Sequence, residues 1–134
     1  MLKILILAGG YSNEREISLI TAKSVIEELK KSRIYKLFLT EPDGNFVKKL
    51  RKFKPDLVLN LLHGRYGEDG YIQSILESEK VKYTHSGVLS SSLAIDKEIS
   101  KKIFMKNKIL TPSYFKFIFK KNFNYENIIK KIDK

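Results

Sequence analysis

The sequence predicts an α/β fold: a parallel sheet with helices on both faces, followed by the incomplete start of a second domain. Three observations predict it. Short apolar runs alternate with stretches of helical period, Gly-rich or turn-forming residues follow several of the runs, and the pattern changes after about residue 88. A chain of 134 residues suits one compact domain rather than two, and it can bury roughly two thirds of its unfolded surface.

Each element has a local reason. Leu2 to Ala8 is an apolar run ending in Gly9-Gly10, the pattern of a strand buried on both faces. Ile17 to Leu29 places Ile17, Leu19, Ile20, Val25, Ile26 and Leu29 at helical spacing, with Glu27, Glu28, Lys30 and Lys31 on the other side. Tyr35 to Leu39 reads as a second strand. Glu41-Pro42-Asp43-Gly44-Asn45 is a turn, because Pro presets φ while Gly and Asn tolerate φ > 0. A short helix follows at Phe46 to Phe53, then a third buried strand at Asp56 to Leu62, a helix at Tyr71 to Glu79 and a fourth short strand at Val81 to Thr84. Beyond it, Val88 to Met105 reads as one helix or two. Tyr114 to Phe119 alternates like a strand, and Asn124 to Ile132 carries Tyr125, Ile128, Ile129 and Ile132 on one helical face. A lone strand has no ladder to join. Residues 96–134 therefore read as the opening of a second domain after a first at 1–95. Their apolar faces, at Phe115–Phe119 and Ile128–Ile132, are expected to drive self-association or local disorder.

Composition excludes several classes. With no cysteine there is no disulfide scaffold, no Cys-ligated metal and no thiol catalysis. No apolar stretch approaches ~20 residues, so none reads as a membrane span. The N-terminal run lacks the features of a signal peptide, which makes a cytoplasmic protein the expectation. The net charge of +11 invites a nucleic-acid reading. However, residues 1–95 hold 15 basic against 11 acidic residues, and residues 96–134 hold 11 against 4, so the surplus sits mainly at the end. Only 4 of the 26 basic residues are Arg, the residue favoured for base-edge and bidentate phosphate contacts. A solvated basic face is the simpler account.

In parallel sheets ligands collect beyond the C-terminal strand ends. The loops Gly9–Glu16, His63–Gly70 and Thr84–Ser86 all follow strands and should meet there. The first is either a tight turn capped by Ser12 or Asn13, or a loop whose acidic residue holds a substrate ammonium. It lacks the GxGxxG spacing of a dinucleotide site. The second packs three glycines with His63, Arg65, Glu68 and Asp69 into eight residues. It is either a glycine-shaped turn with Asp69 capping the next helix or a functional loop. One His and two carboxylates, with His85 as a further ligand, make a poor metal site. Lys97, on spacing alone, reads as a surface lysine.

Together, LAGGYSNEREISL (7–19), LHGRYGEDGYIQSILE (62–77), YTHSGVLSSSLAIDKEISKKIF (83–104) and Thr111-Pro112 resemble the D-alanine–D-alanine ligases of the ATP-grasp superfamily. Several long motifs in order over some 110 residues make the resemblance specific. It implies a Rossmann-like domain at 1–95 that binds substrate and, at 96–134, the truncated beginning of an ATP-grasp domain. It also implies an enzyme that uses ATP and Mg²⁺ to phosphorylate the carboxylate of one D-alanine, which the amine of a second then attacks, for peptidoglycan synthesis.

By the same resemblance, Glu14 holds the ammonium of the first D-alanine, Ile17 lines that subsite, and His63 belongs to it, so that Glu14 and His63 are the catalytic candidates. Glu68 orients His63, and Lys97 contacts ATP phosphates. The second ATP lysine, the Mg²⁺ ligands and a catalytic Arg would all lie beyond Lys134, so the chain alone is expected to be inactive and to bind ATP and Mg²⁺ poorly. His85 stands where the family usually has Gly. The alternatives are a non-catalytic or split-subunit module whose missing domain comes in trans, with a homodimer also open, and, on charge alone, a basic nucleic-acid-binding domain.

Overall fold

The computed structural model describes residues 1–116 together with Glu126 and Ile129. Its elements run β1 (Leu2–Leu7), α1 (Arg15–Lys31), β2 (Tyr35–Thr40), α2 (Phe46–Phe53), β3 (Leu57–Asn60), α3 (Tyr71–Ser78), α4 (Val88–Ile95) and α5 (Lys97–Lys106). The chain divides into two compact units, Met1–Ser100 and Lys101–Lys134.

The sheet has the order β2-β1-β3, with every pairing parallel. β1 is the central strand, which explains its unbroken apolar run: Ile4 through Leu7 are buried and both faces are covered. Alternation along β1 feeds two cores. Leu5 and Leu7 pack with Phe46 and Leu50 of α2, Val58 of β3, and Ile72 and Leu76 of α3. Ile4, Ile6 and Ala8 pack on the other face against Ala22, Leu19 and Ile26 of α1. Helices thus lie on both faces, as expected. Burying such side chains is worth about 1.5–3 kcal/mol each, which makes the two apolar layers the main source of cohesion.

The differences from expectation are local. α1 starts at Arg15 rather than Ile17, and Ser12 serves as a turn rather than a side-chain cap of the helix: its Oγ accepts the Glu14 N–H at 3.1 Å, and its carbonyl accepts the Arg15 N–H. The fourth strand shrinks to one parallel bridge, Val58 to Tyr83. Its ladder is cut short because the Thr84 hydroxyl, not a backbone carbonyl, accepts the Asn60 N–H at 3.0 Å. Two helices follow, and Asp96 separates them. Its backbone is extended, and its carboxylate accepts the N–H groups of Glu98 and Ile99.

Tyr114, Phe115 and Lys116 are in no regular element. The rest of the expected strand and nearly all of the expected helix at Asn124 to Ile132 lie outside the described residues, and so does the expectation about their apolar faces. No helix among the described residues is long and apolar enough to cross a membrane.

Candidate functional site

The loops after β1 and β3 meet above the carboxyl end of the sheet, and buried polar groups fasten them there. Ser18, fully buried on α1, accepts the Gly9 N–H at 2.8 Å and donates to the Leu61 carbonyl at 2.6 Å, tying the two strand ends together. Asn60 accepts the Leu62 N–H through Oδ1 and donates through Nδ2 to the Gly67 carbonyl, which also receives Nε2 of the buried Gln73. Asp69 accepts the N–H of Tyr66 through one oxygen and that of Tyr71 through the other. Its carbonyl accepts the Ser92 hydroxyl at 2.8 Å, which anchors the loop to α4. The second loop is thus held in one shape by its own side chains.

Between these loops and the turn after β2 opens a cleft of about 1120 Å³, lined by Tyr11, Ser12, Asn13, Glu14, Pro42, Asp43, Gly44, Gly64, Arg65, Tyr66, Tyr71 and Ile72. Glu14 reaches across to the second loop. Its Oε2 lies where a Cβ on Gly64 would come within 2.8 Å, and Gly64 sits at φ +67°. Directly before it, His63 carries a buried Nε2 with no hydrogen-bond partner.

Three tyrosines give the cleft an aromatic wall. Tyr66 meets Tyr71 edge-on at 5.3 Å and Tyr11 at 6.4 Å, and the Arg65 guanidinium stands 5.0 Å from the Tyr66 ring centre. Tyr66 holds φ +68°, a conformation that costs a bulky residue of order 1–3 kcal/mol and that persists only when the surroundings fix it.

Of the residues singled out in the sequence, the structure brings Glu14 and the His63-Gly64 turn together. Ile17 is 57% exposed on the first turn of α1 and does not line the cleft. Glu68 does not bond to His63; its Oε2 accepts the Gly64 N–H at 2.7 Å, because the tight turn from Gly64 to Glu68 brings that donor closest. Lys97 opens α5, is exposed, and is not among the cleft residues. The third loop also stays out of the cleft lining. His85 takes φ +87°, so a histidine occupies a left-handed position that suits glycine.

One functional feature escaped sequence reasoning. Glu41 is not only part of a turn. Its carboxylate receives Nε and Nη2 of Arg15 at 3.1 and 2.6 Å and the Gly10 N–H at 3.3 Å. The Arg15 bonds, with that N–H, hold the Glu41 carboxyl below its ordinary range. Glu41 also lies so close to Gly9 that any side chain there would collide with it. This clamp fixes the glycine turn from which Glu14 projects. Its only sequence signal was an Arg and a Glu near two strand ends.

Comparison with known proteins bears on the fold and the family. No family model matches the chain. It is 62% identical over 132 residues to a D-alanine–D-alanine ligase of Pelagibacter ubique, a match covering 98% of this chain and 42% of that protein. A D-alanine–D-alanine ligase of Carboxydothermus hydrogenoformans is 44% identical over 131 residues, with the same coverage. The crystal structure of a Bacillus anthracis D-alanine–D-alanine ligase complexed with ATP superposes with a TM-score of 0.75 at 32% identity, covering 97% of this chain and 44% of that one.

The chain corresponds to an N-terminal portion of the D-alanine–D-alanine ligases. It spans about two fifths of the length of the curated relatives it matches. A Vibrio cholerae D-alanyl-alanine synthetase A, at 24% identity and a TM-score of 0.71, shares the fold.

Proposed function

We propose that this chain carries the ammonium-binding part of a D-alanine subsite in a D-alanine–D-alanine ligase, and that it does not turn over by itself. The observation that supports this best is the Glu14 carboxylate. It projects into the cleft against Gly64, beside a histidine whose Nε2 is buried and unpartnered. Among the described residues this carboxylate has no cation of its own, which suits an ammonium. An amine held as ammonium is no nucleophile, so the bound amino acid is presented by its carboxylate, the end that must be activated.

The groups that would activate it do not assemble here. Among the described residues, no cluster of three or more His, Cys, Asp or Glu could hold a metal ion. The N–H groups opening α5 already meet the Asp96 carboxylate, so Lys97 offers a phosphate only its own ammonium. In this reading the described residues make neither a nucleotide nor a Mg²⁺ site of their own. In this reading the remaining groups belong to the part of the relatives that this chain does not span.

The test is a chimera in which this chain replaces the matching region of the Pelagibacter ubique ligase. It should release ADP when given ATP and D-alanine, whereas the 134-residue chain alone should not. Glu14→Gln in the chimera should raise the D-alanine requirement about 10–100-fold, as loss of a charged hydrogen bond worth ~1.5–3 kcal/mol implies. A folded but inactive chimera, or ADP release by the chain alone, would overturn the proposal.

A further inference from the structure

We infer that the end of the sheet opposite the cleft is a docking surface for an anionic lipid bilayer. Parallel strands all begin at one end, so the residues that open β1, β2 and β3 and those just before the Val58–Tyr83 bridge gather there. Backbone bonds join them. The Leu2 N–H meets the Ile34 carbonyl at 3.2 Å, the Asp56 N–H meets the Lys3 carbonyl at 2.9 Å, and the Val58 N–H meets the Lys82 carbonyl at 2.8 Å. This end is one continuous surface seated on the sheet.

Two features coincide on it. Met1, Leu2 and Ile34 are 84, 45 and 57% exposed, whereas Ile4 to Leu7 are buried. The same end carries six exposed cations: Arg33 and Lys36 at the start of β2, Lys52 and Lys54 at the end of α2, and Lys80 and Lys82 before the bridge. Among the described residues none of the six is in an ion pair. Three acids at this end are already engaged, Glu28 with Lys31, Glu79 with Arg51, and Asp56 with the Lys3 N–H. Helix C-termini favour cations, which accounts for Lys52 and Lys54. It does not account for Lys36 and Lys82, or for the apolar side chains left bare beside them.

Apolar tips among cations fit an anionic bilayer. Each lysine near such a surface adds to the attraction, and the apolar side chains enter the boundary between headgroups and acyl chains. A nucleic acid fits less well. Base-edge and bidentate phosphate contacts favour arginine, and only Arg33 of the six is one. Seated this way, the sheet stands on the bilayer, and the cleft at the other strand ends opens away from it.

The experiment is vesicle flotation with the 134-residue chain. The chain should float with vesicles of phosphatidylglycerol and phosphatidylcholine in equal parts, stay behind with phosphatidylcholine alone, and come off as salt rises. Lys52→Gln and Lys82→Gln should each weaken binding about fivefold. Lys23→Gln, an exposed change on the flank of α1, should weaken it less than about twofold. Exposed substitutions of this kind keep the fold. The chain has no tryptophan, so Ile34→Trp supplies a single reporter on the surface. Its emission should shift to the blue on the mixed vesicles, and that of Lys23→Trp should not. Vesicle binding without that shift, or equal losses in Lys52→Gln and Lys23→Gln, overturns the assignment, because the basic stretch at 96–134 would then account for the attraction. If no vesicle binds, the assignment falls, and duplex RNA bound with losses in Lys52→Gln and Lys82→Gln would give the patch to a nucleic acid instead.

Discussion

Two glycines of the second loop should respond oppositely to the same added methyl group. At Gly64 the backbone is left-handed, and a Cβ would lie 2.8 Å from Glu14 Oε2, the far end of a flexible, exposed side chain. Gly64→Ala should therefore lose only the backbone preference, about 1–2 kcal/mol, while pushing Glu14 out of its place. At Gly67 a Cβ would strike Leu62, whose Cβ lies in its path and whose backbone carbon is 3.1 Å away, and Leu62 is buried in the core beneath the sheet's end. Nothing there can swing aside. Gly67→Ala should cost the ~1–3 kcal/mol typical of overpacking, and more if the Asn60 and Gln73 bonds to the Gly67 carbonyl break with it. Urea denaturation and D-alanine titration on both variants separate the cases. Gly64→Ala should stay folded with a loss of about 1–2 kcal/mol and bind D-alanine at least tenfold more weakly. Gly67→Ala should be the less stable of the two, with binding reduced only as far as it unfolds. Wild-type affinity in Gly64→Ala, or greater stability in Gly67→Ala, would refute the reasoning.

Three further outcomes follow from the geometry. Ser18→Ala leaves the Gly9 N–H and the Leu61 carbonyl without their buried partner and should lower stability by about 2 kcal/mol, measured by chemical denaturation. The Glu41 carboxyl is held down by Arg15, so its contribution to stability is present above the unfolded carboxyl value and fades as pH falls through the lower folded one. Glu41→Gln should flatten that acid limb in thermal melts run at a series of pH values. Burial, helped by the bond to Glu77, pushes the Tyr83 phenol up to about 12, so ultraviolet titration should show one of the 7 tyrosines ionising late, a component missing in Tyr83→Phe.

Much of this fold was legible because β1 is a short apolar run and α1 carries apolar residues at helical spacing. A central strand covered on both faces is apolar throughout, and no turn residue interrupts Leu2 to Leu7. The fourth strand was overread because apolar content marks burial, not ladder length, and the Thr84 hydroxyl takes a place a carbonyl would fill. The start of α1 was read late because Arg15 and Glu16 carry no apolar signal. In the site, the meeting of the first two strand-end loops followed from topology alone. What bonds to what did not. The Arg15–Glu41 clamp spans two strands, and Glu68 reaches a backbone N–H rather than His63, a choice set by loop geometry within a few ångströms. Left-handed Tyr66 was hidden, since tyrosine does not advertise φ > 0 as glycine does, whereas His85 stands where the family usually has Gly.

The central place of β1 has a consequence for how the chain is made. Its register partners lie at Tyr35–Thr40 on one side and Leu57–Asn60 on the other. Leu7 leaves the ribosome well before Asn60, and at ~5–20 residues per second the wait is about 3–11 s. Both hydrogen-bonding edges of this strand are open until β2 is made, and the edge that takes β3 stays open for the whole interval. Slower synthesis should therefore lengthen the exposure of that edge.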